Sequence, residues 1–138
     1  YSYWGKNVDA RVKPQNPAMV ASALTPDYGL GAHTASLGLV FYRGDQFGAD
    51  YRGGAFIGQH GSWNRKPLNG YRVVFVPFAG GRPQTPAREF LTGFLNRNNK
   101  IQGRPVGVTV DGKGGLLVAD DVGGIVWRVA RTAPATGQ

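Results

Sequence analysis

Glycine limits what this chain can fold into more than any other residue. Of 138 residues, 22 are glycine and 9 are proline, and they fall between short apolar runs rather than in one low-complexity tract. That spacing interrupts any long helix and suits an all-β chain with many turns. The runs place strands near 37–42, 54–59, 71–78, 105–110, 115–119 and 124–130. The third of these is apolar on both faces, as expected for a strand buried between layers. "REFLTGFL" (88–95) reads as a weaker strand at a sheet edge. Residues 1–32 read as loop, with "KPQNP" and "TPDYG" as turn signals and at most one helical turn around 18–23.

The runs also repeat. "PVGVTV" follows the pattern of "SLGLVF", "GGLLVADD" that of "GGAFIGQH", and "GGIVWRV" stands where "GYRVVFV" stood. Gly38 and Gly107 are 69 positions apart, Gly54 and Gly115 only 61, so the first unit carries the longer loops. A repeated module of three or four short antiparallel strands is the signature of a β-propeller blade. The chain then divides into a connecting segment with the outer part of a preceding blade (1–36), a blade with long loops (37–103), a partial final blade (104–131) and a C-terminal tail (132–138). Two blades cannot close a ring, and the absence of a Met or a signal-like segment at Tyr1 gives the impression of a piece of something longer.

Composition narrows the function classes. A hydrophobic fraction of 41% is enough for a packed core, and the absence of cysteine removes disulfides and thiolate metal sites. The net charge of +8 suits an anionic partner, yet no block of five or six cations occurs, so the clustered footprint of a nucleic-acid binder is missing. No apolar run approaches the roughly 20 residues that span a bilayer. No serine-hydrolase elbow, phosphate loop, dinucleotide fingerprint or acidic pair at useful spacing is present.

Candidate site residues gather where strands end. In the repeat, Gln59-His60 and Asp120-Asp121 occupy matching positions at one rim, and the loop 61–69 leans over the axis. His60 suits proton transfer or a turn bonded to backbone, and His33 stands at a strand start on the same rim. Two histidines without carboxylates at ligand spacing make a poor metal site, and "DGKGG" is a hairpin turn rather than a calcium loop. Arg65 and Arg104 carry planar forks that match carboxylates, and Arg104 precedes Pro105 at the start of an inner strand. Trp63 can stack on a planar ligand or pack over the rim, whereas Trp127, inside an apolar run, is expected in the core. These residues alone give thin chemistry, and a bound cofactor would supply the rest.

"HGSWNRKPLNGYRVVFVPF", "GRPVGVTVDGKGGLLVADD", "GAHTASLGLVFY" and the opening "YSYWGKNVDARVKPQNP" resemble the sorbosone/glucose dehydrogenase family, quinoproteins that use pyrroloquinoline quinone (PQQ). The likeness runs from Tyr1 to about Arg131, and its specific parts are HGSWNR and RPVG. It implies a six-bladed propeller of which this chain supplies about two blades, in the C-terminal third. It implies further that His60, Asn64, Arg65 and Arg104 line the quinone pocket, with His33 and Trp63 as weaker rim candidates. The parent would be a periplasmic or secreted enzyme that oxidises a sugar by hydride transfer to PQQ and hands electrons to an external acceptor. Its base histidine and calcium ligands would lie mainly outside this chain, so the fragment would be inactive by itself. The alternative is a propeller that binds carbohydrate or protein without catalysis.

A blade without neighbours leaves apolar faces uncovered, and large exposed apolar patches mark interfaces. The isolated 138 residues should therefore self-associate or unfold readily. Sedimentation together with thermal melting checks this, and a monomer with a cooperative, high-temperature transition would contradict it.

Overall fold

The computed structural model describes residues 1–84 and 86–132; the expected tail from residue 133 onward lies outside the described residues. At the start, β1 (Ser2–Trp4) pairs antiparallel with β2 (Asn7–Val8). These two strands interrupt a stretch that reads as loop, because a two-residue strand has no length over which alternation can show. α1 (Pro17–Ser22) follows, with Pro in its first turn and the Asn16 side chain accepting from the Met19 N–H at 3.2 Å. Apart from α1, the only helical element among the described residues is a 3-10 turn at Ala49–Tyr51. No helix among them is long and apolar enough to cross a membrane.

The rest is antiparallel sheet. β3 (Ser36–Phe41), β4 (Ala55–Gln59) and β5 (Arg72–Val76) form a meander; a small hairpin of β6 (Phe78–Ala79) and β7 (Arg82–Pro83) leads to β8 (Arg88–Leu91), the edge strand beside β5. β9 (Pro105–Val110), β10 (Leu116–Asp120) and β11 (Ile125–Val129) make a second, three-stranded meander. Strand positions follow the apolar runs to within about two residues, except that β8 stops at Leu91, short of the expected 95; Gly93 then turns the chain at φ +100.

Both faces of the first sheet are covered along β4 and β5, which explains why every residue of β4 is buried. On one face Tyr42, Phe56, Val73 and Phe75 pack against Leu116 and Val118 of β10, joining the two sheets in one core. On the other, Ala55, Ile57, Val74 and Val76 are covered by Tyr28, Leu30, Phe78 and Ala87. The two faces alternate along β4 and β5 with the period of two that the pleat dictates. Phe47 and Phe90, with ring centroids 4.9 Å apart, close the rim of the first core.

At the inner strands the sheets meet backbone to backbone. A Cβ on Gly58 would stand 2.5 Å from the Val106 carbonyl oxygen, and one on Gly38 would overlap the same oxygen. Glycine is required here for close approach rather than for a special φ. Elsewhere apolar surface is left open: Leu37, Leu39 and Phe41 along β3, and Val126 on β11, are exposed. Trp127 departs from the expected core position and is 46% exposed. It lies on β11, which among the described residues is the edge of its sheet, and its indole meets the Phe94 ring edge-on at 6.4 Å.

The glycine contact gives a paired test. Gly58→Ala should lower unfolding free energy by about 1–3 kcal/mol, the usual cost of overpacking. Gly107→Ala should cost little, because the nearest atom to its added methyl is 3.9 Å away. Urea titration of the two variants distinguishes a backbone-tight seam from a loose one, which would tolerate both.

Candidate functional site

The excursion from β4 to β5 is closed at its neck before it can carry anything. Gly61 and Gly70 both adopt left-handed backbone (φ +94 and +90), and a Cβ on Gly70 would come 2.7 Å from the Gly61 Cα. Just inside them the Ser62 N–H donates to the Asn69 carbonyl at 2.8 Å, and the Asn69 N–H donates to Ser62 Oγ at 2.9 Å. The Tyr71 hydroxyl donates to the Ser62 carbonyl, and Asn69 Nδ2 ties the neck to the Ala32 carbonyl at 3.0 Å. Residues 63–68 therefore project as a pinned loop from a rigid base.

Arg104, at the entrance to β9, reaches across the seam into that base. Its Nη1 donates to the carbonyls of His60 (3.3 Å) and Gly61 (3.2 Å) and faces His60 Nδ1 at 3.3 Å. Its Nη2 donates to the Tyr71 hydroxyl at 3.1 Å and, at 3.5 Å, to the Ser62 carbonyl. The guanidinium also lies 4.8 Å from the Tyr71 ring centroid. On its other side His60 Nε2 is 3.0 Å from Asp121 Oδ2. The Arg104 backbone is fixed as well: its N–H donates to Asp120 Oδ1 at 2.8 Å, and its carbonyl accepts from the Asp121 N–H at 3.1 Å.

Asp120 is the buried anchor of this rim. Burial alone would raise its carboxyl pKa. The N–H groups of Arg104 and Gly123, the Trp127 indole and the Val122 N–H outweigh that, so the carboxyl sits below its ordinary 3.8. The indole bond, at 3.1 Å, is what Trp127 contributes from its half-exposed position.

The structure thus brings His60 and Arg104 into contact, and places Trp63, Asn64 and Arg65 elsewhere, around a cleft of about 640 Å³ shared with Lys66 and Asn99. Trp63 is 83% exposed. The Nε of Arg65 is buried and has no hydrogen-bond partner among the described residues. His33 is exposed, with left-handed backbone at φ +61, and no side-chain bond joins it to the other candidates. Two residues that matter here, Asp121 and Tyr71, are not among the expected site residues. The signal for Asp121 is the repeat itself, which puts Asp120-Asp121 opposite Gln59-His60. Chemically the cleft offers the Arg65 fork, the Asn64 amide and an exposed indole, a set that suits a planar anion. Among the described residues no group of three His, Cys, Asp or Glu is placed to hold a metal ion.

Residues 10–132 match the family described as TrAA12-like. An uncharacterised protein of Borreliella burgdorferi is 37% identical over 117 residues, covering 84% of this chain and 30% of that protein. The pyrroloquinoline quinone-dependent pyranose dehydrogenase of Coprinopsis cinerea is 35% identical over 130 residues, covering 80% of this chain and 17% of the enzyme. The holo form of its PQQ domain superposes with a TM-score of 0.65 at 31% identity, over 80% of this chain and 30% of that one. The calcium structure of a Trichoderma reesei carbohydrate-active enzyme of family AA12 gives 0.68 at 25% identity, over 91% and 32%. The chain therefore spans less than a third of the length of the relatives it matches.

The lowered Asp120 pKa fixes the sign of an acid effect. The unfolded carboxyl titrates near 3.8 and the folded one lower, so ionised Asp120 favours the fold at all higher pH. That contribution is lost as pH falls through the folded value. Asp120→Asn should lower stability at neutral pH and flatten the acid limb relative to wild type. Urea unfolding across pH 2–6 reads both, roughly the span over which a carboxylate titrates; parallel acid limbs would contradict the assignment.

Proposed function

Because the chain belongs to the TrAA12-like family, we propose that it forms the C-terminal, roughly two-blade part of a six-bladed quinoprotein that oxidises sugars of the aldose or sorbosone type. The all-β architecture, similar to a PQQ domain and to family AA12 structures, supports an oxidoreductase-related fold. The observation that carries the cofactor reading is Arg65. A buried guanidinium N–H with no acceptor among the described residues leaves a donor that a bound carboxylate would satisfy.

The residues fit PQQ, a planar tricarboxylate. Arg65 would hold a carboxylate in bidentate fashion, with Asn64 supplying amide groups and Trp63 a flat, exposed face beside it. His60 and Arg104 do not line that cleft and would support it from the seam side, where their mutual contacts keep the loop base in place. When bound, the quinone supplies a two-electron acceptor for hydride from the sugar. The proton acceptor and the ligands of a calcium ion are assigned to the remainder of the protein, with the external electron acceptor as a further partner. We place the parent outside the cytoplasm, periplasmic or secreted, following the sequence resemblance.

Arg65→Ala, in the protein that carries this chain, should weaken PQQ binding roughly 10- to 150-fold, the equivalent of losing one charge-assisted pair. Lys should restore only part of it, since a point charge cannot reproduce the fork. Fluorescence titration of PQQ into the apo-protein measures this. Unchanged affinity in the alanine variant would make Arg65 a surface cation and remove the main support for the cofactor reading.

A further inference from the structure

The repeat places His60 and Asp121 one residue beyond matching strand ends, and the fold brings these two side chains into contact across the seam. His60 also faces Arg104 through its other ring nitrogen. A guanidinium carries only donors, so the lone pair in that contact must belong to Nδ1. The ring proton then lies on Nε2, where the Asp121 carboxylate 3.0 Å away accepts it. A neutral imidazole can satisfy both neighbours in one tautomer only.

We infer that Asp121 is a positioning residue. By accepting from Nε2 it selects the His60 tautomer whose Nδ1 receives Arg104, and so fixes the guanidinium over the loop base. The inference rests in part on the cofactor reading, because the orientation of Arg104 matters to a ligand only if the pocket binds one. It also sets what His60 does: with both nitrogens engaged, it holds Arg104 rather than taking a proton from substrate. Asp121 is suited to the task because it is anchored independently, its N–H donating to the Arg104 carbonyl. Its side chain is 64% exposed, so replacing it leaves the buried cores untouched.

The test separates the tautomer from the ligand. Ring nitrogens of His60 in the 15N-histidine-labelled protein, assigned by loss of their signals in His60→Gln, report the tautomer directly by long-range proton–nitrogen correlation at a pH where the ring is neutral. Wild type should show protonated Nε2 and bare Nδ1. Asp121→Asn, which keeps an acceptor, should preserve that pattern. Asp121→Ala leaves Arg104 alone to select the tautomer, so the Nδ1–H population should rise above its wild-type level and PQQ binding should weaken roughly 2- to 12-fold, the scale of one hydrogen bond. A wild-type Nδ1–H tautomer, or an Asp121→Ala variant with tautomer and affinity both unchanged, overturns the inference. If wild type shows the expected tautomer but binds no PQQ, the cofactor reading fails while the His60 arrangement stands.

Discussion

One guanidinium joins the two sheets where the candidate site is built. Arg104 leaves the second sheet at the start of β9 and donates to three successive carbonyls, of His60, Gly61 and Ser62, in the first. Those carbonyls belong to the neck of the loop that carries Trp63, Asn64 and Arg65. The His60 and Gly61 carbonyls would otherwise need water or other partners, whereas the Ser62 carbonyl also accepts from the Tyr71 hydroxyl. A fork with several donors on one plane can serve them together, which an ammonium cannot do with the same geometry. The site therefore depends on how closely the sheets approach. That distance is set by Gly38 and Gly58, which let the β9 backbone come into contact with β3 and β4.

This dependence divides the labour of the two arginines. Both read alike in the sequence, as forks suited to carboxylates. In the structure Arg104 is largely occupied by its own protein, and Arg65 retains a buried donor with no partner among the described residues. Arg104 belongs mainly to the frame that presents the loop, and Arg65 to what the loop presents. Asp120 completes the frame from behind, holding the Arg104 N–H and the Trp127 indole with one ionised carboxylate.

Most of the strand order was legible because short alternating runs bounded by glycine leave few other conformations. β9, at Pro105–Val110, begins and ends where the run "PVGVTV" does. The elements that were not legible are those made by tertiary pairing. β1 and β2 are too short to show periodicity, and Trp127 looks like a core residue unless it is known that β11 is the edge of its sheet among the described residues. HGSWNR stands out as an unusual loop, but the bonds that close its neck involve Asn69 and Tyr71, which no spacing rule singles out. The contact between His60 and Asp121 was half visible: the repeat matched their positions, yet only the packing of one sheet on the other shows that matched residues touch.

Amide hydrogen exchange at the loop base tests the account most directly. If Arg104 holds the neck, Arg104→Met should speed exchange at His60, Gly61 and Ser62, whose N–H groups donate to Ala35, Thr34 and Asn69. Amides of the β10–β11 pairing, from Leu116 to Val129, should keep wild-type protection. Unchanged exchange at the three loop-base amides would contradict the claim that this guanidinium ties the loop to the second sheet.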